Sequence, residues 1–511
     1  MHTTAIVPLP VSVAATDAPP FRLGARVVVS GDPTATRDLS ATLAVLGIDG
    51  AAARTAADTD GDAERHAGIH LSITPGGEPE SYVLASSEAG ITVTGADPAG
   101  LFYGVQTAAQ LLERGRRDGV VPAVTIRDRP RFAYRGVMLD VARHFHPVDT
   151  VLAFIDRAAS LKFNHLHLHL TDDQGWRLQS AARPLLTEQA SSTSAFGDPG
   201  GFYTHDDFRR IVDHAAARHM TVVPEIDLPG HTHAVSLAYP ELSEPPVISA
   251  SVLETIDQFG GGVPAGGAPY TGIAVGFSSL RIHEEATYAF LDDVLRELAE
   301  LTPGPYLHIG GDEALGTPAA DYAAFLSRVT AMVAALGKTP IAWHEAGAAP
   351  GLHPSTVGQY WGFVTPTDGM DDKTRTFVRN GARVILSPAD AVYLDMKFDA
   401  ASALGLTWAR GVTSLERSYE WDPAAVVEGI SDADILGVEA PLWTETVRDL
   451  DAIDALAFPR IAAAAEAAWS PPLGSSPDRT WESFRARVGG LGTFWRAHGI
   501  AFTPLAGVDW S

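Results

Sequence analysis

An adjacent pair of acids, Asp312 and Glu313, is the strongest chemical signal in the sequence. The pair follows an apolar segment and two glycines, Gly310 and Gly311, which let a backbone approach a ligand closely. Neighbouring side chains on a regular strand point to opposite faces, so both acids can serve one site only where the strand ends. A bare acid pair is commonly a solvated helix start. A strand broken by two glycines favours acid–base chemistry here instead.

Three histidines alternate with leucines in the motif His165-Leu-His-Leu-His169. Period-two spacing places all three on one face of a strand, an arrangement that metal hydrolases also use, and His231 and His233 could supply further ligands. We favour the simpler interpretation, in which the three histidines pack inside the fold and hydrogen-bond to polar neighbours. Asp172 and Asp173, directly after this strand, are better candidates for the site itself.

Other polar and aromatic residues recur where candidate strands end. His231 follows a strand break at Pro229-Gly230, where a neighbouring carboxylate would make it able to tune a catalytic acid. Any single tryptophan is more often core than ligand platform, but several at strand ends favour a walled sugar pocket, and carboxylates suit hydroxyl binding and proton transfer. The residues at these ends include Arg135, Trp343, Trp361, Tyr393, Asp395, Trp408, Trp443 and Glu445.

The segments between these residues predict a (β/α)₈ TIM barrel over residues 131–511, ending in a helical segment. In such barrels the catalytic residues lie at the carboxyl ends of the strands. The candidate strands are residues 134–141, 165–170, 221–226, 306–310, 340–344, 356–360, 383–386 and 435–440. The candidate helices are residues 148–161, 205–218, 284–300, 319–336 and 373–379. A doubly wound open sheet is the alternative, but no glycine-rich phosphate loop follows the first strand.

Residues 1–130 predict a small α/β domain before the barrel. Their candidate strands and helices are residues 25–30, 70–74 and 90–94, and residues 37–46 and 100–114. Residues 127–131, which contain Pro130, indicate a linker between the two domains. Within the barrel, residues 241–280 are rich in glycine and proline and form either a lid over the site or a passive insertion.

Charge and composition exclude several classes of function. The chain has 37 Lys+Arg against 62 Asp+Glu, a net charge of −25, whereas nucleic-acid binders usually carry a basic surface. With no cysteine, the chain can form no disulfide, thiolate zinc site, iron–sulfur cluster or cysteine nucleophile. No apolar run reaches the ~20 residues of a membrane span, and the amino terminus lacks the pattern of a secretory signal. We therefore expect no nucleic-acid or membrane partner and a cytoplasmic location, or a secreted one if a signal has been removed.

Several longer motifs occur in order along the chain. They are Tyr134-Arg-Gly-Val-Met-Leu-Asp-Val-Ala-Arg143, Leu166-His-Leu-His-Leu-Thr-Asp-Asp-Gln-Gly-Trp176, residues 224–232, His308-Ile-Gly-Gly-Asp-Glu313, Ala342-Trp-His-Glu345, Tyr393-Leu-Asp395 and Glu439-Ala-Pro-Leu-Trp-Thr-Glu445. With these motifs the chain resembles, nearly end to end, the β-N-acetylhexosaminidases of glycoside hydrolase family twenty. The segment Gly100-Leu-Phe-Tyr-Gly-Val-Gln-Thr107 also looks like the small α/β domain of that family.

The resemblance implies a retaining, substrate-assisted mechanism, in which the 2-acetamido oxygen of the sugar attacks the anomeric carbon and forms an oxazolinium intermediate. It implies that Glu313 is the general acid and that Asp312 accepts the acetamide N–H. Tyr393 matches a hydroxyl that donates to the acetamido oxygen. Asp172 and His231 match a relay behind Glu313 that keeps its proton available.

The resemblance also implies sugar-binding roles. Three tryptophans would form the walls around the acetamide and the sugar face: Trp343, Trp361 and Trp443. Arg135, Asp395 and Glu445 would bind ring hydroxyls. Trp408 would lie near the leaving group. The implied partner is an N-acetylated amino-sugar glycoside, from which a terminal β-linked N-acetylglucosamine or N-acetylgalactosamine is released by exo action. We expect neither a cofactor nor a metal.

Three alternative functions remain open at this point. A metal-dependent amidohydrolase or deacetylase would use His165, His167 and His231 and would lose activity with a chelator, but it gives Asp312 and Tyr393 no role. A sugar-binding protein on an inactive barrel would be free to lose its catalytic residues. A disaccharide-releasing relative would share the same acid pair.

Overall fold

The amino-terminal part of the chain is an α/β domain, as predicted. The computed structural model describes residues 5–52 and 68–510. The elements of this domain are β1 (Ser12–Ala15), β2 (Phe21–Arg22), β3 (Arg26–Gly31), α1 (Pro33–Val45), β4 (Asp49–Ala52), β5 (Gly68–Ile73), β6 (Tyr82–Ser87), β7 (Gly90–Gly95), α2 (Pro98–Asp118), β8 (Val120–Val121) and β9 (Val124–Asp128). Seven strands form one sheet in the order β1-β9-β6-β7-β5-β3-β4, and β2 pairs with β8.

The predicted linker over residues 127–131 is wrong at its amino end. Arg127 and Asp128 complete strand β9, where they pair with Val83 and Tyr82 of β6. Buried and more exposed side chains alternate along β9, as expected for a strand with one buried face. The alternation continues to Asp128, whose side chain is buried.

Eight parallel strands close into a barrel, which confirms the predicted fold class. The strands of this region are β10 (Tyr134–Asp140), β11 (His165–His169), β12 (Thr171–Asp172), β13 (Gly175–Trp176), β14 (Thr221–Glu225), β15 (Tyr306–His308), β16 (Thr339–Trp343), β17 (Val357–Tyr360), β18 (Val384–Leu386) and β19 (Ile435–Leu442). Each predicted strand overlaps one barrel strand, and β12 and β13 form a separate antiparallel pair. Almost every residue of the barrel strands is buried, as expected for a parallel sheet that is covered on both faces.

Helices follow the strands and extend to the carboxyl end of the chain. They are α3 (Val148–Ser160), α4 (Leu185–Ala190), α5 (His205–Ala217), α6 (His233–Ala238), α7 (Ala250–Phe259), α8 (Glu285–Leu301), α9 (Ala319–Ala335), α10 (Met370–Arg379), α11 (Ala389–Val392), α12 (Leu415–Tyr419), α13 (Leu450–Ala457), α14 (Arg460–Trp469), α15 (Trp481–Gly489) and α16 (Gly492–Ala497). The five predicted barrel helices correspond to α3, α5, α8, α9 and α10. A capping box between Thr204 and Asp207 fixes the start of α5. Within the described ranges, no helix is both long and apolar enough to cross a bilayer.

The chain divides into two compact units. One unit contains Met1–Ala133, Ala158–Lys162 and Phe458–Ser511, and the other contains Tyr134–Arg157 and Phe163–Ala457. The predicted division instead assigned all of residues 131–511 to the barrel domain. Helices α14, α15 and α16 therefore belong by their packing to the unit that holds the amino-terminal domain.

A glycine permits the contact that closes the barrel between its first and last strands. Gly437 of β19 pairs with Tyr134 of β10. A Cβ atom at Gly437 would lie 1.7 Å from the Tyr134 carbonyl oxygen, which is a backbone atom and cannot rotate away. Any larger residue would have to push the two strands apart at this point.

We expect Gly437→Ala to lower the free energy of unfolding by more than about 2 kcal/mol, because the added methyl group overlaps the backbone. Chemical denaturation followed by tryptophan fluorescence measures the change. Gly266→Ala is the matched control, since a Cβ at Gly266 meets no atom within 4 Å, and we expect it to stay within about 0.5 kcal/mol of wild type. Equal stabilities of the two variants would contradict this account of barrel closure.

Candidate active site

A cavity of about 490 Å³ lies at the carboxyl ends of the barrel strands. This position agrees with the predicted site, because polar residues after parallel strands meet at one end of a barrel. Seven of the predicted site residues line it: Asp312, Glu313, Trp361, Tyr393, Trp408, Trp443 and Glu445.

A tight glycine turn brings the two adjacent acids to the same cavity. Gly310 and Gly311 follow β15 with φ values of +64° and +100°. A Cβ at Gly310 would lie 1.7 Å from Asp227 Oδ1, so only glycine fits beside that carboxylate. The strand pattern ends at this turn, and Asp312 and Glu313 therefore both face the cavity instead of pointing to opposite sides. Asp312 is buried, whereas the Glu313 side chain is 33% exposed.

A histidine and a buried aspartate lie behind Glu313. His231 Nδ1 is 3.2 Å from Asp172 Oδ1, and His231 Nε2 is 3.6 Å from Glu313 Oε2 and 3.8 Å from Asp312 Oδ2. Burial alone would lower the pKa of His231, but Asp172 and the neighbouring carboxylates outweigh burial and raise it well above its usual value. For Asp172, the charges of Arg143 and His231 outweigh the effect of burial and lower the pKa. The pair is therefore an imidazolium held by a carboxylate.

Asp312 lies beside a second buried carboxyl group, that of Asp227. Burial raises the pKa of Asp312, and the charge of Glu313 adds to that rise while His231 opposes it. The pKa of Asp227 is raised well above its usual value by burial and by the charge of Asp312. Asp227 Oδ1 also accepts the Gly311 N–H at 3.0 Å. The two acids therefore titrate as one coupled pair, and the charge of His231 favours the ionised form of Asp312, which can accept a hydrogen bond from a ligand.

Aromatic side chains form the walls of the cavity. Trp361 donates its indole N–H to Glu345 Oε2 at 2.9 Å, and its ring meets that of Trp408 edge to face at 5.9 Å. Burial raises the pKa of Tyr393 well above its usual value, although a hydrogen bond with Trp443 opposes the rise. Tyr393 therefore keeps its hydroxyl proton and can donate it to an oxygen of a ligand.

The structure does not place Arg135 in the cavity, so that prediction is corrected. Arg135 is the second residue of β10 and lies about 16 Å along the strand from Asp140, at ~3.3 Å per residue. Arg143, three residues beyond Asp140, lines the cavity instead. Its guanidinium group is 2.8 Å from Asp172 Oδ2 and lies 4.7 Å from the ring centre of Trp443. The signal that identifies Arg143 is its position after the strand rather than at the strand's start.

Two other predicted residues support the cavity from beneath its surface. Trp343 is fully buried, and its indole N–H donates to Glu225 Oε1 at 3.0 Å. Its ring packs 6.1 Å from that of Trp443, which does line the cavity. Asp395 is also buried and outside the lining, and its charge contributes to the raised pKa of Tyr393.

The histidine side chains of strand β11 lie in the barrel interior. His167 Nδ1 is 2.9 Å from Glu439 Oε1 and Nε2 is 3.1 Å from Glu225 Oε2, and these carboxylates outweigh burial and raise its pKa to about 10. His165 stacks on Tyr134 at 4.0 Å, and burial lowers its pKa to about 3. The hydrogen-bonded interpretation is therefore confirmed for His167. His167, Glu225 and His308 do place donor atoms close together, but both ring nitrogens of His167 already contact carboxylates.

Two models of one enzyme family together match most of the chain. The family model described as "Glycosyl hydrolase family 20, catalytic domain" matches residues 132–321 and 317–472, and the one described as "Glycosyl hydrolase family 20, domain 2" matches residues 3–129. The chain belongs to glycosyl hydrolase family 20. It is thus a glycoside hydrolase of the β-N-acetylhexosaminidase family.

Relatives within family 20 match over the whole length of the chain. A β-N-acetylhexosaminidase of Cellulomonas fimi is 38% identical over 518 residues, covering 100% of this chain and 98% of the relative. A solved family 20 β-N-acetylglucosaminidase is 59% identical with a TM-score of 0.89, and each chain covers 100% of the other. A mutant β-hexosaminidase of Streptomyces plicatus in complex with the product GlcNAc is 39% identical, with a TM-score of 0.87 and 100% coverage of both chains.

Glu345 makes the stability of this family 20 site depend on pH. Burial, with the nearby charge of Asp312, raises the pKa of Glu345 from 4.5 to about 8. Between these values the native state binds more protons than the unfolded state, so the free energy of unfolding falls as the pH rises. We expect Glu345→Gln to reduce this decrease in the free energy of unfolding. The amide oxygen of the new glutamine can still accept the Trp361 N–H. Urea denaturation at about pH 5 and about pH 8 measures the difference.

Glu300→Gln is the matched control for this comparison. Glu300 is exposed at the end of α8, so its replacement removes the same ionisable carboxyl group from a site in solvent. We expect Glu300→Gln to keep the pH dependence of wild type. An unchanged pH dependence in Glu345→Gln would mean that Glu345 is ionised in the native protein across this range.

Proposed function

We propose that the protein is an exo-acting, retaining β-N-acetylhexosaminidase that removes terminal β-linked N-acetylglucosamine or N-acetylgalactosamine by substrate-assisted catalysis. The observation that carries the proposal is the glycine turn that directs both Asp312 and Glu313 into the cavity that Tyr393 also lines. Two adjacent acids on one turn are poorly placed to act from opposite faces of a glycosidic bond, as an enzyme nucleophile and an acid would. They are well placed to serve one face together.

In the first step, the carbonyl oxygen of the 2-acetamido group attacks the anomeric carbon, and the bond to the leaving oxygen breaks. Glu313 gives its proton to that oxygen, so the leaving group departs as a neutral alcohol. Asp312 accepts the acetamide N–H and stabilises the positive charge that develops on the oxazolinium ring. The neutral hydroxyl of Tyr393 donates to the acetamido oxygen and holds it near the anomeric carbon.

In the second step, water replaces the acetamido oxygen at the anomeric carbon. Glu313, now a carboxylate, takes the proton of that water, and the oxazolinium ring opens to the acetamide. Two displacements at one carbon restore the original β configuration. His231 Nε2 lies 3.6 Å from Glu313 Oε2 and helps to hold the Glu313 side chain in position for both proton transfers.

The floor of the cavity supports release of a terminal sugar. Arg143 lines the cavity and is only 4% exposed. Glu445 lines the same cavity, and burial raises its pKa to about 7 while Arg143 opposes the rise. A guanidinium group and a carboxyl group beside each other suit the free hydroxyls of a non-reducing terminal ring. The GlcNAc bound to the Streptomyces plicatus relative is consistent with such a sugar.

A comparison of two chromogenic substrates tests the mechanism. We expect fast release of p-nitrophenol from the β-N-acetylglucosaminide and little from the plain β-glucoside, because only the former carries the attacking acetamide. The rates should be unchanged by EDTA. Equal rates on both sugars would show that the acetamide takes no part, and loss of p-nitrophenol release in EDTA would show that a metal ion takes part in the cleavage.

Substitution of each acid separates the two assigned roles. We expect Glu313→Gln to lower kcat by roughly 10²–10⁴-fold for a methyl glycoside and by less for the p-nitrophenyl glycoside, whose leaving group needs little protonation. We expect Asp312→Asn to lower kcat by roughly 10²–10³-fold for both leaving groups, because the acetamide loses its acceptor. Steady-state kinetics on both substrates give the comparison, and near-wild-type rates in either variant would contradict the role of that residue.

A further inference from the structure

The last residue of β10 is a buried aspartate that the proposed chemistry does not use. Asp140 is fully buried and lies outside the cavity lining. Its Oδ1 atom accepts the Ala142 N–H at 2.8 Å and the Arg143 N–H at 3.0 Å. Its Oδ2 atom accepts the Thr444 N–H at 3.1 Å and lies 3.6 Å from the guanidinium group of Arg143. One side chain thus bonds to the segment after the first barrel strand and to the segment after the last.

The two segments that Asp140 joins carry residues of the cavity lining. They follow β10 and β19, which pair as parallel neighbours in the barrel. Arg143 lines the cavity three residues after Asp140. Thr444 lies between Trp443 and Glu445, both of which also line the cavity. Because the bonded N–H groups are those of Arg143 itself and of the residue before Glu445, Asp140 fixes the backbone from which both side chains project.

Further buried bonds hold the same two segments together. The His144 N–H donates to Thr444 Oγ1 at 3.1 Å, and His144 Nδ1 is 2.5 Å from the Thr444 carbonyl oxygen. The Arg177 guanidinium group donates to the Ala142 carbonyl oxygen at 2.6 Å, so both peptide groups of Ala142 have partners. All four residues are buried. The two segments can therefore shift relative to each other only by breaking hydrogen bonds that water cannot replace.

The three N–H donors require a side chain that accepts at both of its ends. A carboxylate has two acceptor oxygens, whereas the amide of asparagine has one acceptor oxygen and one NH₂ donor. In Asp140→Asn, the NH₂ group would therefore face either Thr444 or the N–H groups of Ala142 and Arg143. A buried N–H without an acceptor is costly, so the segment on that side would move away.

The acid pair is positioned by a different part of the barrel. Asp312 and Glu313 follow the glycine turn after β15, whereas Asp140 ends β10. The bonds of Asp140 are made to the segments that carry Arg143 and Glu445. Asp140 thus acts on the side of the cavity that is proposed to bind ring hydroxyls, rather than on the turn that carries the acids.

We propose that Asp140 is a positioning residue for recognition of the terminal sugar. By bonding to Arg143 and Thr444 at once, it sets the spacing between the Arg143 guanidinium group and the Glu445 carboxyl group. The inference rests on the proposed function, which places the free hydroxyls of a terminal ring against these two groups. Asp140 itself contacts no substrate atom. Its loss would weaken the contribution of a ring hydroxyl to turnover, whereas the acetamide and the leaving group would still meet their own partners.

The test measures how much one ring hydroxyl contributes to turnover. p-Nitrophenyl β-N-acetylglucosaminide is compared with its 3-deoxy and 4-deoxy analogues, which keep the acetamide and the leaving group. The hydroxyl penalty is kcat/KM of the parent substrate divided by kcat/KM of the analogue. We expect the larger of the two penalties to fall roughly tenfold in Asp140→Asn, because the hydroxyl no longer meets two correctly spaced groups.

A control variant and a second test variant accompany Asp140→Asn. Asp454→Asn is the matched control, since Asp454 is as fully buried, pairs with Arg157 at 2.6 Å and lies outside the cavity lining. We expect it to keep the wild-type penalties. Thr444→Val preserves the shape of the side chain but removes the oxygen that accepts the His144 N–H. We expect it to lower the larger penalty several-fold.

The outcomes separate this inference from the proposed function. Wild-type penalties in Asp140→Asn, or in Thr444→Val if Asp140→Asn does not fold, would overturn the positioning role and leave the function intact. An equal fall in Asp454→Asn would also overturn it, because any lost buried carboxylate would then have the same effect. Wild-type protein that fails to cleave the parent substrate would overturn the proposed function and, with it, the inference. General damage to the fold cancels, since each penalty compares two substrates in one variant.

Discussion

The buried carboxylate of Glu225 is the interaction on which the catalytic end of the barrel depends. It is fully buried at the end of β14, and burial alone would raise its pKa, but His308, His169 and His167 outweigh burial and lower it well below its usual value. An ion in this position is stable only while its donors are present. Two residues that hydrogen-bond to Glu225 also contact residues of the site. His169 bridges Glu225 to Asp172, and Trp343 links Glu225 to the aromatic wall.

The buried charges alternate in sign from the barrel interior to the cavity. Glu439, His167, Glu225, His169, Asp172 and His231 form a continuous chain of contacts that ends beside Glu313. The carboxylate contacts outweigh burial and raise the pKa of His169 to about 9, and the pKa values of Glu225 and Asp172 are lowered. Each member is thus held in its charged form by its neighbours. Glu313 lies at the outer end of this network, and the inner members of the network are buried in the barrel core.

Much of this architecture could be predicted from the sequence, and the reasons are local. All eight barrel strands were identifiable because buried parallel strands are short apolar runs between helices. The joint placement of Asp312 and Glu313 followed from two glycines after a strand. The assignment of Arg135 to the site is wrong because Arg135 lies at the start of β10, whereas Arg143, in the same motif, follows the end of that strand and lines the cavity. The packing of residues 458–511 depends on contacts distant in sequence, which no periodicity reveals.

The bonds of Asp173 and Asp172 have a consequence for how this enzyme could diversify. One of these consecutive residues fixes the insertion that carries α7, and the other holds the histidine behind the acid pair. The side chains of residues 255, 258 and 259 line the cavity from helix α7 and take part in neither of these bonds. A substitution at these positions would change the lining and leave both bonds in place. A change in the length of residues 241–280 would instead disturb the bonds of Asp173, which is next in sequence to the residue that holds His231.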